Sequence, residues 1–345
     1  MDKKKTLRAL FVVVLAILLM FSLTVAAFGG ISKISKTKST LYVGHSITLS
    51  VNDVSKKVKW KSSNKKIVAV KSIGKNKAKV SAQEKGSAFV TASVDGKKYT
   101  CKIIAKYKKV NKNMTLKLHN IGTKKGKYVG EVKNGKPNGS GKFTTTNSDG
   151  EIWYYEGGWK NGQMNGKGIT CWPESNDKEE GTYIDSELVY GKCYFDGVLF
   201  YEGGFENEQR SGIGTIYNKE GEAVYSGSMK NDVPTDYTQL IEKSRELSYN
   251  ELARYDKKYM YSLIKWSGRV LQVIEGDNGD VEYRIAEGSN VSNVMYCYYT
   301  RDEDEARILE GDYITVYGLS DGLYTYESVG SGYLTIPSMD IYYVQ

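Results

Sequence analysis

Histidine is almost missing: the 345 residues hold two, His45 and His119. A multi-histidine metal site is excluded, and a Ser-His-Asp relay has two starting points at most. Proline is nearly as scarce, with four, which excludes collagen and proline-rich linkers. The four cysteines, Cys101, Cys171, Cys193 and Cys297, are too scattered to be a disulfide framework. With no C-x-x-C, neither a zinc ribbon nor thioredoxin chemistry is signalled. Cys171 and Cys193 stand 22 apart, which leaves a bridge between them open. There is no P-loop, no dinucleotide glycine motif after a strand and no H-E-x-x-H. The acidic run Asp302-Glu303-Asp304-Glu305 lacks the alternating ligand spacing of a calcium loop. No cofactor, catalytic residue or metal ligand is singled out, and the chain reads as a non-enzyme.

Arginine is absent from residues 30–127, where 25 lysines face three acidic residues, Asp53, Glu84 and Asp95. Residues 128–230 carry a net −6 and residues 231–345 a net −10. A lysine is a hydrated point charge without the guanidinium fork that reads base edges, so sequence-specific nucleic-acid binding is disfavoured. An all-lysine surface fits salt-sensitive attraction to a polyanion, and Lys56, Lys57, Lys59, Lys61, Lys65 and Lys66 are the candidate contacts. The alternative is a solubilising surface with no partner.

What is abundant is glycine, 36 residues, and tyrosine, 28. Together they indicate tight turns between half-buried strands. The only long apolar run is at the start: "MDKKKTLR" precedes 23 apolar or small residues, 9–31. Basic then apolar is the layout of an export signal or a single-span anchor. Residues 1–31 are therefore expected to be one or the other. The rest would lie on the extracytoplasmic face of the cell membrane, or be secreted or wall-associated after cleavage.

Residues 32–108 alternate apolar and polar in short runs, the pattern of a β-sandwich, with Trp60 and Ile67 expected in its core. "LYVGHSITLSV", "WKSSNKKIVAV" and "GKNKAKVSAQEKGSAFVTASV" resemble the bacterial Ig-like group 2 family. That resemblance implies a spacer or adhesive module of exported proteins. A Lys-rich linker is expected over 109–125.

Residues 126–232 repeat. Units begin at Tyr128, Tyr155, Tyr201 and Tyr225, with a degenerate unit near Tyr183 filling a double-length gap. The first two carry Gly130, Gly135, Gly139, Gly141 and Gly157, Gly162, Gly166, Gly168 at matching offsets; the third keeps Gly203, Gly212 and Gly214 but has Glu208 at its turn, and the last has Asp232 there. Each unit reads as a hairpin whose Asn-Gly pairs supply positive-φ turns. One hairpin cannot bury its face alone, so the units must stack. The pattern resembles MORN repeats, which implies an elongated antiparallel sheet serving as a scaffold.

Residues 233–261 shift to helical spacing, with Leu240, Ile241, Leu247 and Leu252 as the apolar positions. Residues 262–345 return to five strand-length runs, suggesting a small closed barrel with Gly268 and Gly318 at bends. The segment from "SYNELARYDKKY" through "SGRVLQVIE" to "LEGDYITVYG" and "TIPSMDIYYV", about the last hundred residues, resembles OB-fold domains of exported Gram-positive proteins. Tyr296, Tyr298, Tyr317, Tyr324 and Tyr326 are candidates for a ligand-stacking face, or pack within the barrel.

The fold class expected is mainly β: an Ig-like sandwich, a hairpin-repeat sheet, a short helical link and an OB-like barrel. The function expected is a non-catalytic cell-envelope binding or scaffold protein. Its lysine-rich module would contact anionic wall polymers or lipid headgroups, and its outer modules a protein or glycan. The alternatives are a carbohydrate-binding accessory using the barrel and, third, a cell-wall-active enzyme working through a carboxylate pair.

Overall fold

A computed structural model describes residues 32–345 apart from 278, 303 and 329–331. The expected signal or anchor, residues 1–31, lies outside the described residues. The chain is mostly β and divides into two compact units, one ending at Lys108 and one spanning Lys109–Gln345.

The first unit is a two-sheet sandwich. Its strands are β1 (Lys38–Tyr42), β2 (Ser46–Ser50), β3 (Lys59–Ser62), β4 (Val68–Ser72), β5 (Lys77–Ala82), β6 (Gly86–Val94) and β7 (Lys97–Lys106). One sheet runs β1-β7-β6-β3 and the other β2-β5-β4. Strand alternation sends one side of each sheet inward. Leu49, Val51, Val68, Val80, Val90, Cys101 and Ile103 are fully buried between the sheets. Trp60 and Ile67 are half-buried and pack against this core.

The second unit opens with an eleven-stranded antiparallel meander in strict chain order. It comprises β8 (Lys108–Leu118), β9 (Gly122–Lys133), β10 (Lys136–Thr146), β11 (Ile152–Lys160), β12 (Gln163–Trp172), β13 (Asp177–Ile184), β14 (Glu187–Phe195), β15 (Val198–Glu206), β16 (Gln209–Tyr217), β17 (Ala223–Lys230) and the short β18 (Val233–Pro234). Residues 109–125 are thus not a linker. They form β8 and the start of β9, because alternation buries Leu116 and Leu118 while Lys109 and Lys117 face solvent. The Asn-Gly expectation also needs correcting. Asn134-Gly135 and Asn161-Gly162 have positive φ at both residues, as a tight hairpin turn requires. Gly139 and Gly166 instead have positive φ inside β10 and β12, and Asn138 and Asn165 do not.

Three short helices follow: α1 (Tyr237–Lys243), α2 (Tyr249–Arg254) and α3 (Asp256–Tyr259), with β19 (Arg245–Glu246) between the first two. Ser248 and Glu251 form a capping box that starts α2. Leu240 packs in a core shared by repeat residues such as Tyr201 and Tyr225 and barrel residues such as Leu263 and Leu319. The segment is therefore a packed joint. Leu247 and Leu252 are buried, whereas Ile241 faces solvent.

The barrel uses β20 (Leu263–Glu275), β21 (Asp280–Glu287), β22 (Asn290–Thr300), β23 (Tyr313–Ser328) and β24 (Gly332–Val344). The order β20-β21-β22-β24-β23 is closed by pairing of β23 with β20, and β22 runs parallel to β24. Gly268 and Gly318 sit where a Cβ would meet the carbonyl oxygens of Ala286 and Asp340 at 1.7 and 1.9 Å. They permit close approach of backbones at the bends.

Candidate functional site

The repeat sheet is built on two straight lines of residues. Gly130, Gly141, Gly157, Gly168, Gly181, Gly191, Gly203, Gly214 and Gly227 are paired one to the next, a glycine column across nine strands. Two residues away, on the buried face, runs the row Tyr128, Phe143, Tyr155, Thr170, Glu179, Cys193, Tyr201, Ile216 and Tyr225. The lines explain each other. The Tyr155 ring lies over Gly157 and Gly168, so that a Cβ on Gly168 would sit 2.3 Å from its hydroxyl. Tyr128, Tyr201 and Tyr225 lie over their own glycines in the same way. Each hydroxyl donates to the backbone carbonyl three residues on: Tyr128 to Glu131 at 2.7 Å, Tyr155 to Gly158 at 2.9 Å, Tyr201 to Gly204 at 3.0 Å and Tyr225 to Ser228 at 2.7 Å. A buried phenol must find such a partner. Trp159 packs edge-on between Tyr128 and Tyr155, with centroids at 5.5 and 5.2 Å.

The row breaks in its centre. Thr170, Glu179 and Cys193 stand side by side where the flanks carry Tyr, Phe and Ile. Register identifies Glu179-x-Gly181 as the counterpart of Tyr155-x-Gly157, so Glu179 replaces the unit's tyrosine. Tyr183, two residues after Gly181, is the counterpart of Trp159. The degenerate unit is therefore indexed on Glu179, and Tyr183 is not its defining residue. Leu188 Cδ1 comes within 2.8 Å of a Cβ built on Gly181, the place the tyrosine hydroxyl occupies elsewhere.

Two cavities meet at this break. One, of about 400 Å³, is lined by Trp153, Met164, Thr170, Trp172, Glu179, Tyr183, Ser186, Glu187, Leu188, Phe205 and Glu208, with Ile121, Lys124 and Asn147. The other, of about 470 Å³, is lined by Glu179, Cys193, Phe195, Phe200, Phe205, Glu208, Arg210, Asp232 and Tyr261, with Leu319, Ser320, Asp321 and Asp340 of the barrel. Glu179, Phe205 and Glu208 belong to both.

The turns on this edge of the sheet change too. The second turn residue is Gly135, then Gly162, then Ser186, Glu208 and Asp232, all with positive φ (79°, 67° and 70° for the last three). Glycine tolerates that conformation freely; other residues do so at a cost of about 1 kcal/mol or more. Each of these three strained positions lines a cavity.

Burial, and secondly the charge of Glu208, raise the Glu179 carboxyl to about 7. Tyr183 is raised by burial and then by Glu179; its hydroxyl lies 2.9 Å from Thr170 Oγ1. Burial also raises the Cys193 thiol. Cys171 and Cys193 are both free, with no bridge between them. Arg210 donates through Nε to Asp232 at 2.7 Å and lies over Phe200 at 5.1 Å. Its Nη1 is buried with no partner among the described residues. Asp340 is exposed at the rim, yet desolvation and then Asp321 raise its carboxyl to about 6.

The six lysines singled out in the sandwich do not share one surface. Lys59 and Lys61 project from β3 on the outer side of the four-stranded sheet, because Trp60 and Ser62 turn inward. The other four, Lys56, Lys57, Lys65 and Lys66, are exposed in loops, and Lys56 pairs with Asp95 at 3.1 Å. Strand register adds Lys38, Lys98, Lys102 and Lys106 to the outer face of Lys59 and Lys61. No acidic residue stands on that face in β1, β7, β6 or β3. Lys38 is directly opposite Lys102, a like-charge pairing that destabilises a sheet. Phe89, half exposed, lies among these lysines with Thr91 and Thr100 beside it. Sequence reading missed the four added lysines because they come from two further strands.

The barrel tyrosines separate. Tyr317 is 4% exposed and bonds Gln345 through its hydroxyl, so it packs within the structure. Tyr296 stacks on Tyr324 at 4.0 Å, and Tyr324 on Tyr326 at 6.2 Å. Arg284 covers Tyr326 at 4.2 Å. This ladder satisfies itself and leaves Tyr298 and part of Tyr324 open, at 37% and 38% exposure. Among the described residues no group of three or more His, Cys, Asp or Glu is placed to hold a metal ion, and no helix is long and apolar enough to cross a membrane.

Comparison with known proteins agrees with the repeat register. Residues 128–150 and 155–176 match the MORN repeat family model. No curated protein matches the chain. Among solved structures it is similar to domains 5–6 of the S-layer protein SbsC, at 10% identity over 90% of this chain and 97% of that one, with a TM-score of 0.21. A DUF4784 family protein from Bacteroides caccae ATCC 43185 gives 8% identity, coverage of 90% and 96%, and a TM-score of 0.18. Domains 4–9 of SbsC give 9%, 90% and 49%, with a TM-score of 0.20. Scores this low carry no weight for fold or function. What the comparisons establish is that the chain contains MORN repeats, beginning at Tyr128 and Tyr155.

Proposed function

We propose that this protein is a non-catalytic scaffold of the cell envelope, held to an anionic wall polymer or lipid surface through its sandwich. The observation that carries the reading is the outer face of the four-stranded sheet. Lys38, Lys59, Lys61, Lys98, Lys102 and Lys106 share it with no strand acid. Clustered like charge costs stability, and a polyanion with a phosphate every few ångströms would relieve it. Lysine in place of arginine fits diffuse attraction over fixed, bidentate reading. The basic-then-apolar start of the chain supports export, and the sandwich's strand arrangement supports the Ig-like reading. The meander offers a broad sheet with an open outer face. Lys142–Glu156, Lys178–Glu180 and Lys192–Glu202 pairs dot that face, which suits contact with a protein.

Co-sedimentation with cell walls that carry or lack their anionic polymers tests this. The full chain should pellet with anionic walls at low salt and release at high salt. A Lys59→Glu, Lys61→Glu, Lys102→Glu variant should stay in solution. Pelleting unaffected by salt and by these substitutions would sink the proposal.

A second reading rests on the barrel. Its strand order, with parallel β22 and β24, supports the OB-like assignment, and Tyr298 and Tyr324 offer partly open rings for a sugar. Glycan binding that survives high salt and is lost in Tyr298→Ala would favour this reading.

A further inference from the structure

We propose that the break in the repeat row is a binding site for an organic cation, its ammonium group held by Glu179 against the rings of Trp153, Trp172, Tyr183 and Phe205. Every other unit with this Tyr-x-Gly spacing fills its centre with a phenol hydrogen-bonded to backbone. The central unit replaces it with a carboxylate that has no hydrogen-bond or ion-pair partner among the described residues and that faces a cavity. An apolar side chain would have filled the gap at less cost, since a half-buried carboxylate without a partner is disfavoured. Places where a sequence breaks its own structural rule are where function is expected.

The lining sets the chemistry. Aromatic faces carry negative quadrupoles and attract cations, more so when water is excluded. The charged groups facing Glu179 are Glu187, Glu208 and Lys124 in the first cavity, a net acidic set. In the second they are Arg210, Asp232, Asp321 and Asp340, with the Cys193 thiol. The protein already shows the recipe there: the Arg210 guanidinium is bound by Asp232 and laid over Phe200. The first cavity has the carboxylates and the rings, and its volume of about 400 Å³ suits a small amine. The turn residues Ser186 and Glu208 hold strained conformations beside it. Glycine there would relieve the strain and would remove polar groups from the cavity wall.

The test is tryptophan fluorescence of the full chain, read through Trp153 and Trp172, titrated with n-pentylamine, tetramethylammonium and neutral N-acetylglucosamine. At least one of the two cations should give a saturable change at pH 8. Affinity should fall at least tenfold at pH 5.5, where Glu179 is protonated while both cations keep their charge. Glu179→Gln should also lose at least tenfold, and Tyr298→Ala should not. Failure of both cations to saturate at pH 8 overturns the site. So does equal affinity in Glu179→Gln, or preference for the neutral sugar. Should Glu179→Gln not fold, the wild-type pH dependence decides, and cation affinity unchanged between pH 5.5 and 8 refutes the proposal.

Discussion

The sandwich and the repeat sheet solve the same packing problem differently. The sandwich closes an aliphatic interior between two sheets, with Leu49, Val80, Val90 and Ile103 wholly buried, and exports its charge to the outer face. The repeat sheet lines one face with tyrosines laid on glycines, then sets a carboxylate in the middle of the line. In the sandwich, function has to be sought outside the core. In the repeat sheet the core itself carries the polar exception. The difference teaches that a repeat's regularity is a reference against which a single replacement can be read.

Removing a regular member should do the most damage. Tyr155→Ala should cost about 3–5 kcal/mol in urea unfolding, the range for deleting a buried aromatic ring. Ile103→Ala in the sandwich should cost about 2–5 kcal/mol. A loss below about 1 kcal/mol at Tyr155 would show that the row does not bear the sheet's stability.

Glycine substitutions sharpen the contrast within the sheet. Gly168→Ala would drive a methyl into the Tyr155 ring, with contacts of 2.3–2.4 Å, and should cost about 3 kcal/mol by overpacking. Gly135→Ala meets nothing within 4 Å and has only its φ of +80° against it, so about 1 kcal/mol is expected. Thermal melts of the two should rank in that order. The smallest effect should come from the outer face: Lys192→Ala removes a partly exposed surface pair with Glu202 and should shift stability by less than about 0.5 kcal/mol.

Much of this was legible in the chain because alternation and turn chemistry are local. The mainly β class and the repeats at Tyr128 and Tyr155 follow from period-2 patterning and from Tyr-x-Gly with Asn-Gly. The central unit was misread because Tyr183 attracted the assignment that belongs to Glu179. The signal was available, since Glu179-x-Gly181 falls 24 residues after Tyr155, but a carboxylate does not look like a tyrosine until register aligns the glycines. Residues 109–125 looked like a linker because lysines dominate them, while two buried leucines were enough to hold a strand. The lysine face and the Tyr296–Tyr324 stack depend on which strands become neighbours, and no local pattern carries that.

The measurement that tests the account most directly is the stability of wild type and Glu179→Leu by urea unfolding at pH 5 and pH 8. The folded carboxyl of Glu179 keeps its proton up to about 7, against an ordinary value of 4.5. Between these values the folded state binds more protons than the unfolded one, so stability must fall as pH rises. Wild type should lose on the order of 2–3 kcal/mol from pH 5 to pH 8 through this group. The leucine variant should lose that much less and be the more stable protein at pH 8. Parallel slopes, or a variant weaker than wild type at pH 8, would contradict the claim that the centre of the row holds an unpaired carboxylate at a cost in stability.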